Sequence, residues 1–437
     1  MHVPERTLQP RSLPEVSPAG TASPETDQPS AADQPLAEDQ QSAEVQRQGT
    51  DRPWLRSLRA AATVWLITHV AYVALTFFAF FQSNRPVPKS WSKAFANWGN
   101  WDAEWFVVIA TRGYKGYHGP DIDEERSAAF FPMYSILIKI VSFVVVEPVV
   151  AAVLIAFAAQ IAAFTVLHRL TEQEFDGGSA SRTLWYLVAF PTGFYLGLTY
   201  NASLYLLLVV SALYLMRRGT WWAAGVVCAL ATATRSAALL LAVPFCYEYL
   251  RQHEFRLRRI RWDAGWIALV PVGIVSFASY CWVIFGDPLK FMHAQALWDR
   301  ERDWPWIGIY QTVKILHTTP NIFANDVRNL MDLGSVLVVI TMLVLGFVGP
   351  WRYRRDQWFL PLFGMASILF VICFPSADVI NRVPLLSAGR LVLEAFPAFM
   401  VAGRIGRNQN FDRGYCFIAI LLQGLWFTHF LLHHFIG

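Results

Sequence analysis

Apolar and polar positions fall into blocks along this chain: from residue 58 onward, runs with few or no charged residues alternate with shorter segments that collect Arg, Lys, Asp and Trp. The hydrocarbon core of a bilayer is about 30 Å thick and takes about 20 apolar residues of helix to cross, so each run reads as a membrane helix. The pattern predicts such helices at Leu58 to Phe81, Val149 to Leu167, Thr183 to Leu198, Tyr200 to Met216, Trp221 to Thr234 and Ser236 to Leu250. It continues with Ala264 to Phe285, Leu333 to Gly349, Trp358 to Phe374, Leu391 to Gly403 and Tyr415 to Phe435, eleven in all. Phe130 to Val146 is read instead as a re-entrant or interfacial helix, because it holds Pro132 and Lys139 and runs into Glu147-Pro148. The predicted fold class is an all-α polytopic membrane protein with long exterior loops.

Charge sets the orientation. Arg52-Arg56-Arg59, Arg217-Arg218, the cluster from Arg251 to Arg261, Arg352-Arg354-Arg355 and Arg404-Arg407-Arg413 are assigned to the cytoplasm by the Lys/Arg bias of inner loops, which also puts the N-terminus there. The exterior then receives 82–129, 286–332 and 375–390, each mixing Trp, Asp, Arg and His. Residues 1–54 form a separate tail: the first 50 hold eight acidic and three basic side chains amid Pro, Gln, Ser and Ala, too few apolar groups to offset the entropy of ordering. No short apolar core with a small-residue cleavage site occurs in the tail, so the first span is expected to target the chain. The membrane domain is 55–437.

Composition agrees with the pattern. Of 437 residues, 55% are hydrophobic and only 16% charged, which excludes an ordinary soluble domain with roughly 25% charge. The net charge of +4 is scattered among short loops, unlike a nucleic-acid footprint, and no glycine-rich phosphate cradle or soluble nucleotide domain is present. The five cysteines, at 228, 246, 281, 373 and 416, sit in apolar runs without metal spacing and read as inert.

The first exterior loop carries the clearest chemistry. On a continuous helix Trp98, Trp101 and Trp105 share one face, an aromatic belt toward lipid, and Asp102 sits at the water boundary. A carboxylate among tryptophans can serve as a general base; it can equally cap the helix. Arg235, between two short apolar runs, needs an anionic partner, either a ligand phosphate or a structural carboxylate. Arg390 is a second candidate for an anion, with Arg382 and Lys290 behind it. Asp121 and Asp123, with Glu124 and Glu125, have oxygen-donor spacing for a divalent cation, but a solvated acidic loop is the preferred reading and no metal cofactor is expected. His293 reads as an interfacial packing residue, and His429, His433 and His434 lack neighbours that complete a metal set.

Several of these segments, in order, resemble the PIG-V mannosyltransferases, membrane enzymes of the GT-C fold that use mannose carried on polyprenyl or dolichol phosphate. The run Trp101-Asp102-Ala103-Glu104-Trp105-Phe106 with Ile109-Ala110-Thr111-Arg112-Gly113-Tyr114 resembles their first-loop signature. Phe130-Phe131-Pro132-Met133-Tyr134 and Phe190-Pro191 through Tyr200-Asn201-Ala202-Ser203-Leu204-Tyr205 follow. Ala233-Thr234-Arg235, then Gly286-Asp287-Pro288-Leu289 with Gln295 and Trp298, and Ser387-Ala388-Gly389-Arg390 complete the set. The resemblance spans 55–435. It departs at Ala202, where the family has Glu, so an acidic role there is missing or supplied elsewhere, and at Ser135, where a second proline is usual.

The resemblance implies a hexosyltransferase that moves mannose from polyprenyl-phosphate mannose to an acceptor hydroxyl on the extracytoplasmic side with inversion, the acceptor being a glycolipid, glycan or protein. Asp102 becomes its base, Arg235 and Arg390 its phosphate ligands, and Trp101, Glu104, Tyr134, Tyr200, Gln295 and Trp298 substrate contacts. The membrane is the cell membrane in a prokaryote and that of the endoplasmic reticulum in a eukaryote. A lipid-linked-sugar transporter or flippase would show an internal repeat with broken helices, which the sequence lacks, and a catalytically lapsed family member is the other alternative.

Overall fold

Proline opens five of the helices, at Pro53–Gln82, Pro132–Val145, Pro148–Glu174, Pro305–Thr318 and Pro397–Ile405. Its fixed φ and missing N–H cost nothing in a first helical turn, so each proline sets where a helix begins. The computed structural model describes residues 52–83, 90–115, 124–318, 324–377 and 382–434; the N-terminal tail lies outside them apart from residues 52–54. Among the described residues the secondary structure is helical, with a single isolated bridge pairing Arg300 and Ser376.

The centre of the body is the Pro148–Glu174 helix, packed against Pro53–Gln82, Gly177–Ala189 and Ala202–Arg217. Ala152, Ala156, Ala159 and Ala163 follow one another at helical spacing and are buried, so neighbouring backbones come close along an alanine face. Where the surroundings are apolar and offer no hydrophobic driving force, such close packing is what holds helices together. One close crossing lies between Trp221–Thr232 and the start of Val272–Phe285, just before which the Val270 carbonyl accepts from Thr232 Oγ1 at 2.8 Å. A Cβ added to Gly273 would lie 2.2 Å from the Ala229 carbonyl oxygen.

Four described helices are long and apolar enough to cross a membrane: Pro53–Gln82, Pro148–Glu174, Asp326–Phe347 and Gln409–Leu431. Trp262–Leu269 and Val272–Phe285 pass the same test together, bent by 41° at their junction. The remaining apolar runs are shorter or interrupted. Pro191 ends Gly177–Ala189 before a 3-10 turn at Gly193–Leu196, and 3-10 turns at Ser236–Leu241 and Val392–Glu394 divide two more. The chain is an integral membrane protein, helical among the described residues, in which four helices, or five with the bent pair, meet the length and composition test for a crossing, while the other apolar runs form shorter helices. Pro132–Val145 is a separate 14-residue helix, shorter than a full span.

The basic clusters assigned to one side of the membrane meet at one place. Glu172 binds Arg56 and Arg169 at 2.7 and 2.8 Å, Glu174 binds Arg217 at 2.7 Å, and Asp176 binds Arg407 at 2.6 Å. Arg217 also reaches Asp356 at 3.0 Å, and the wholly buried Glu248 holds Arg251 at 2.7 Å. Segments holding Arg56, Arg217, Arg251, Asp356 and Arg407 are thereby joined at the C-terminal end of one helix, Glu248 being tied in through Arg217 at 3.5 Å.

Replacing Gly273 with Ala should lower the melting temperature in detergent and the monodisperse yield, since the clashing atoms are backbone and cannot swing aside; a loss on the order of 1–3 kcal/mol is expected from overpacking. Wild-type melting of Gly273→Ala would show that the crossing is looser than described.

Candidate active site

The segment from Asn97 to Asp102 is a tight turn between two helices, Trp91–Ala96 and Asp102–Arg112, and not the continuous helix that the tryptophan spacing predicts. Gly99 lies against Thr199, whose Oγ1 donates to the Trp98 carbonyl at 2.8 Å, and the Tyr200 hydroxyl donates to the Asn100 carbonyl at 2.7 Å. Trp101 then takes a φ of 66°, a left-handed conformation that bulky residues rarely adopt. The lipid-facing belt is thus corrected: Trp98 is buried and donates to Thr76 Oγ1 at 2.9 Å, Trp105 is buried and stacked on Phe130, and Trp101 turns to a cavity. Asp102 opens its helix and Glu104 follows in the first turn, where the helix dipole favours carboxylates.

Opposite Asp102 a second short helix, Ala388–Leu391, presents Arg390. It too follows a left-handed residue, Ser387 at φ 62°. Both backbone groups of Gly389 are held: its N–H donates to Asp332 Oδ1 at 2.7 Å, and its carbonyl accepts from Thr192 Oγ1 at 2.6 Å. The Arg390 guanidinium lies 5.6 Å from the ring centres of Tyr195 and of Tyr200 and forms an ion pair with Asp102 Oδ2. One helical turn on, Glu394 forms an ion pair with Arg235, which lies 5.5 Å from the Tyr205 ring centre. Each cavity pair thus joins an arginine to one carboxylate and at least one tyrosine face.

Arg300 adds a further cation. It follows Asp299, another left-handed residue at φ 55°, and donates to the carbonyls of Leu386 at 2.9 Å and Phe374 at 3.3 Å. Burial, aided by the nearby Arg390, pulls its guanidinium down to about 10. Partial burial raises the carboxyl of Glu104 above its ordinary value, and the His293 hydrogen bond at 2.7 Å holds Asp287 below its own.

Asp102, Glu104, Arg235, Arg300, Arg390 and Glu394 line a cavity of about 2090 Å³. Asp102, Arg235, Arg390, Trp101, Glu104, Tyr200, Gln295 and Trp298, all singled out in the sequence, line it together, as does Ala202. Its lining also includes the apolar side chains of Leu239, Leu240, Val243, Ile274, Leu422 and Leu425. Tyr134 stands apart, buried behind Phe106 with its hydroxyl on the Ala152 carbonyl at 2.9 Å. Lys290 pairs with Glu125 at 2.7 Å outside the arginine group. Asp121 and Asp123 lie outside the described residues, and among the described residues no group of three His, Cys, Asp or Glu could hold a metal ion. Glu394, Arg300 and Tyr195 escaped the sequence reading. The one signal for Glu394 was its spacing of four residues from Arg390.

Residues 64–281 match the family described as Mannosyltransferase (PIG-V). Two solved structures are similar. The first is ArnT from Cupriavidus metallidurans bound to undecaprenyl phosphate, at 13% identity and a TM-score of 0.46, covering 76% of this chain and 59% of that one. The second is the Archaeoglobus fulgidus oligosaccharyltransferase in complex with zinc and sulfate, at 12% identity and a TM-score of 0.39, covering 84% and 53%. The chain thus spans less than two thirds of either protein. No curated protein sequence matches it.

If Arg235 and Glu394 support each other, Arg235→Ala should lower thermal stability in detergent by stranding a carboxylate, and adding Glu394→Gln should recover part of the loss, a coupling of about 1–3 kcal/mol. Additive losses in the double variant would dissolve the pair as an energetic unit.

Proposed function

Since the chain belongs to the Mannosyltransferase (PIG-V) family through residues 64–281, we propose that it is a membrane glycosyltransferase that moves mannose from a polyprenyl-phosphate carrier to an acceptor hydroxyl on the extracytoplasmic side. The observation that carries this reading is the cavity, whose lining combines apolar side chains with Asp102, Arg235, Arg300 and Arg390. A polyprenyl-phosphate sugar has the matching combination, with an apolar tail, an anionic phosphate and a polar sugar.

In the proposed reaction Asp102 is the general base. Its Oδ2 is held by Arg390, while Oδ1 has no hydrogen bond within the described residues and is the oxygen offered to the acceptor. The acceptor oxygen bonds to C1 of the mannose as its proton passes to Asp102, and the bond from C1 to the carrier phosphate oxygen breaks with its electron pair going to the phosphate. A single displacement of this kind inverts the configuration at C1. Arg390 and Arg235 stabilise the phosphate as its charge develops, an effect worth most in a site that excludes water. Glu104 and Tyr200 then contact the sugar or acceptor, and Glu394 supplies a further carboxylate, paired with Arg235, in a cavity where Ala202 offers none.

Two experiments test the reading. With purified protein and labelled polyprenyl-phosphate mannose, wild type should transfer label to an acceptor, and Asp102→Asn, which keeps the size but cannot take the proton, should lower turnover by about 10² or more without loss of monodisperse protein. Near-normal turnover of Asp102→Asn would remove the base assignment, and no transfer by wild type across acceptor classes would remove the donor. Sidedness is tested separately: with Cys246 replaced by Ser, Asp303→Cys should react with an impermeant thiol reagent added outside intact cells and Arg258→Cys should not. The reverse pattern would place the cavity on the cytoplasmic side.

A further inference from the structure

At the end of the molecule where the basic clusters meet, the segment after Ala242–Gln252 carries exposed arginines interleaved with exposed large apolar side chains. Phe255 is 56% exposed, Leu257 74% and Trp262 98%, while Arg256, Arg258, Arg259 and Arg261 lie between them. A loop facing plain water has no reason to display three such groups in eight residues, and one facing hydrocarbon could not carry four guanidinium groups. The membrane interface accommodates both, with apolar side chains entering the acyl boundary and arginines remaining among the headgroups.

The segment is built to hold its shape. The Phe255 N–H donates to the Leu250 carbonyl at 2.7 Å, and Leu257–Arg259 is a 3-10 turn. The Tyr249 hydroxyl clasps the far end, donating to Asp263 Oδ1 at 2.5 Å and accepting from the Arg261 N–H at 3.1 Å. Charge is distributed unevenly within it. Glu254 takes Arg259 at 2.6 Å and Arg256 at 3.6 Å, whereas Arg258 and Arg261 have no ion pair among the described residues. Gln252, which donates to the Met216 carbonyl at 2.9 Å, ties in the neighbouring turn with exposed Arg218.

We propose that this segment is a docking surface for anionic phospholipid headgroups, with Arg258 and Arg261 as the headgroup ligands and Leu257 and Trp262 as the apolar anchors. Two unpaired cations fixed beside two exposed apolar side chains complement a lipid that combines a negative headgroup with an acyl chain, and a zwitterionic headgroup would satisfy only the apolar half. The surface lies apart from the cavity and is independent of the proposed reaction.

The test uses the full chain in detergent, mixed with equal amounts of phosphatidylglycerol and phosphatidylcholine, repurified, and analysed for bound lipid by mass spectrometry. Wild type should retain phosphatidylglycerol in preference. Since each arginine near a membrane surface contributes roughly a fivefold factor, Arg258→Gln with Arg261→Gln should reduce that preference by about tenfold or more. Trp262→Ala should reduce total retained lipid while leaving the headgroup preference in place, and Lys314→Gln, an exposed cation on a different helix, should change neither. The proposal is overturned if wild type shows no preference, if the monodisperse double variant keeps it, or if Lys314→Gln lowers it as much.

Discussion

A bare charge inside an apolar body costs several kcal/mol, and the described structure is organised around avoiding that cost. Its buried ion pairs gather at two places. At one, Glu172, Glu174 and Asp176 take up Arg56, Arg217 and Arg407 from segments remote in sequence, and Glu248 reaches Arg217 as well as Arg251, which fixes the helix ends relative to one another. At the other, Asp102 and Glu394 take up Arg390 and Arg235 in the lining of the cavity. Alanine and glycine faces let the helices approach closely enough for these short side-chain links to close.

The second grouping differs from the first in its surroundings. Around Glu174 and Glu248 the carboxylates are nearly all enclosed by protein, so their partners are fixed. Around Asp102 and Arg235 part of each side chain faces the cavity, with exposures of 22% and 28%. Partners there can be exchanged for those of a ligand. The tyrosine faces beneath Arg235 and Arg390 keep the guanidinium groups positioned if a carboxylate lets go, because the attraction of a cation to a ring does not depend on the ion pair.

Much of this was legible in the sequence, and the rest was not for identifiable reasons. Long charge-free runs marked Pro53–Gln82 and Pro148–Glu174, since a full span leaves an unbroken signature. Asp102, Arg235 and Arg390 stood out because each is a charge beside apolar or aromatic neighbours, and they line one cavity. Glu394 was hidden because its partner Arg235 is 159 residues away, and no local pattern reports a contact of that range. Arg300 was hidden inside a charged run, Asp299 to Asp303, that reads as a solvated loop. The tryptophan face at 98, 101 and 105 failed because helical spacing was applied across Gly99 and Asn100, where the chain turns, and apolar runs do not show where prolines and 3-10 turns divide them into shorter helices.

Trp101, Asp299 and Ser387 share a feature with a consequence for engineering the chain. All three are non-glycine residues in left-handed backbone, and each sits within three residues of a cavity charge, Asp102, Arg300 or Arg390. Strain of this kind costs on the order of 1–3 kcal/mol per residue and persists only where surrounding structure imposes it. A stabilising search through the sequence would find glycine at all three places, and in doing so would loosen the joints that aim the three charges. The strain at these positions therefore has a directional use: it sets where the side chains of three cavity charges leave the backbone.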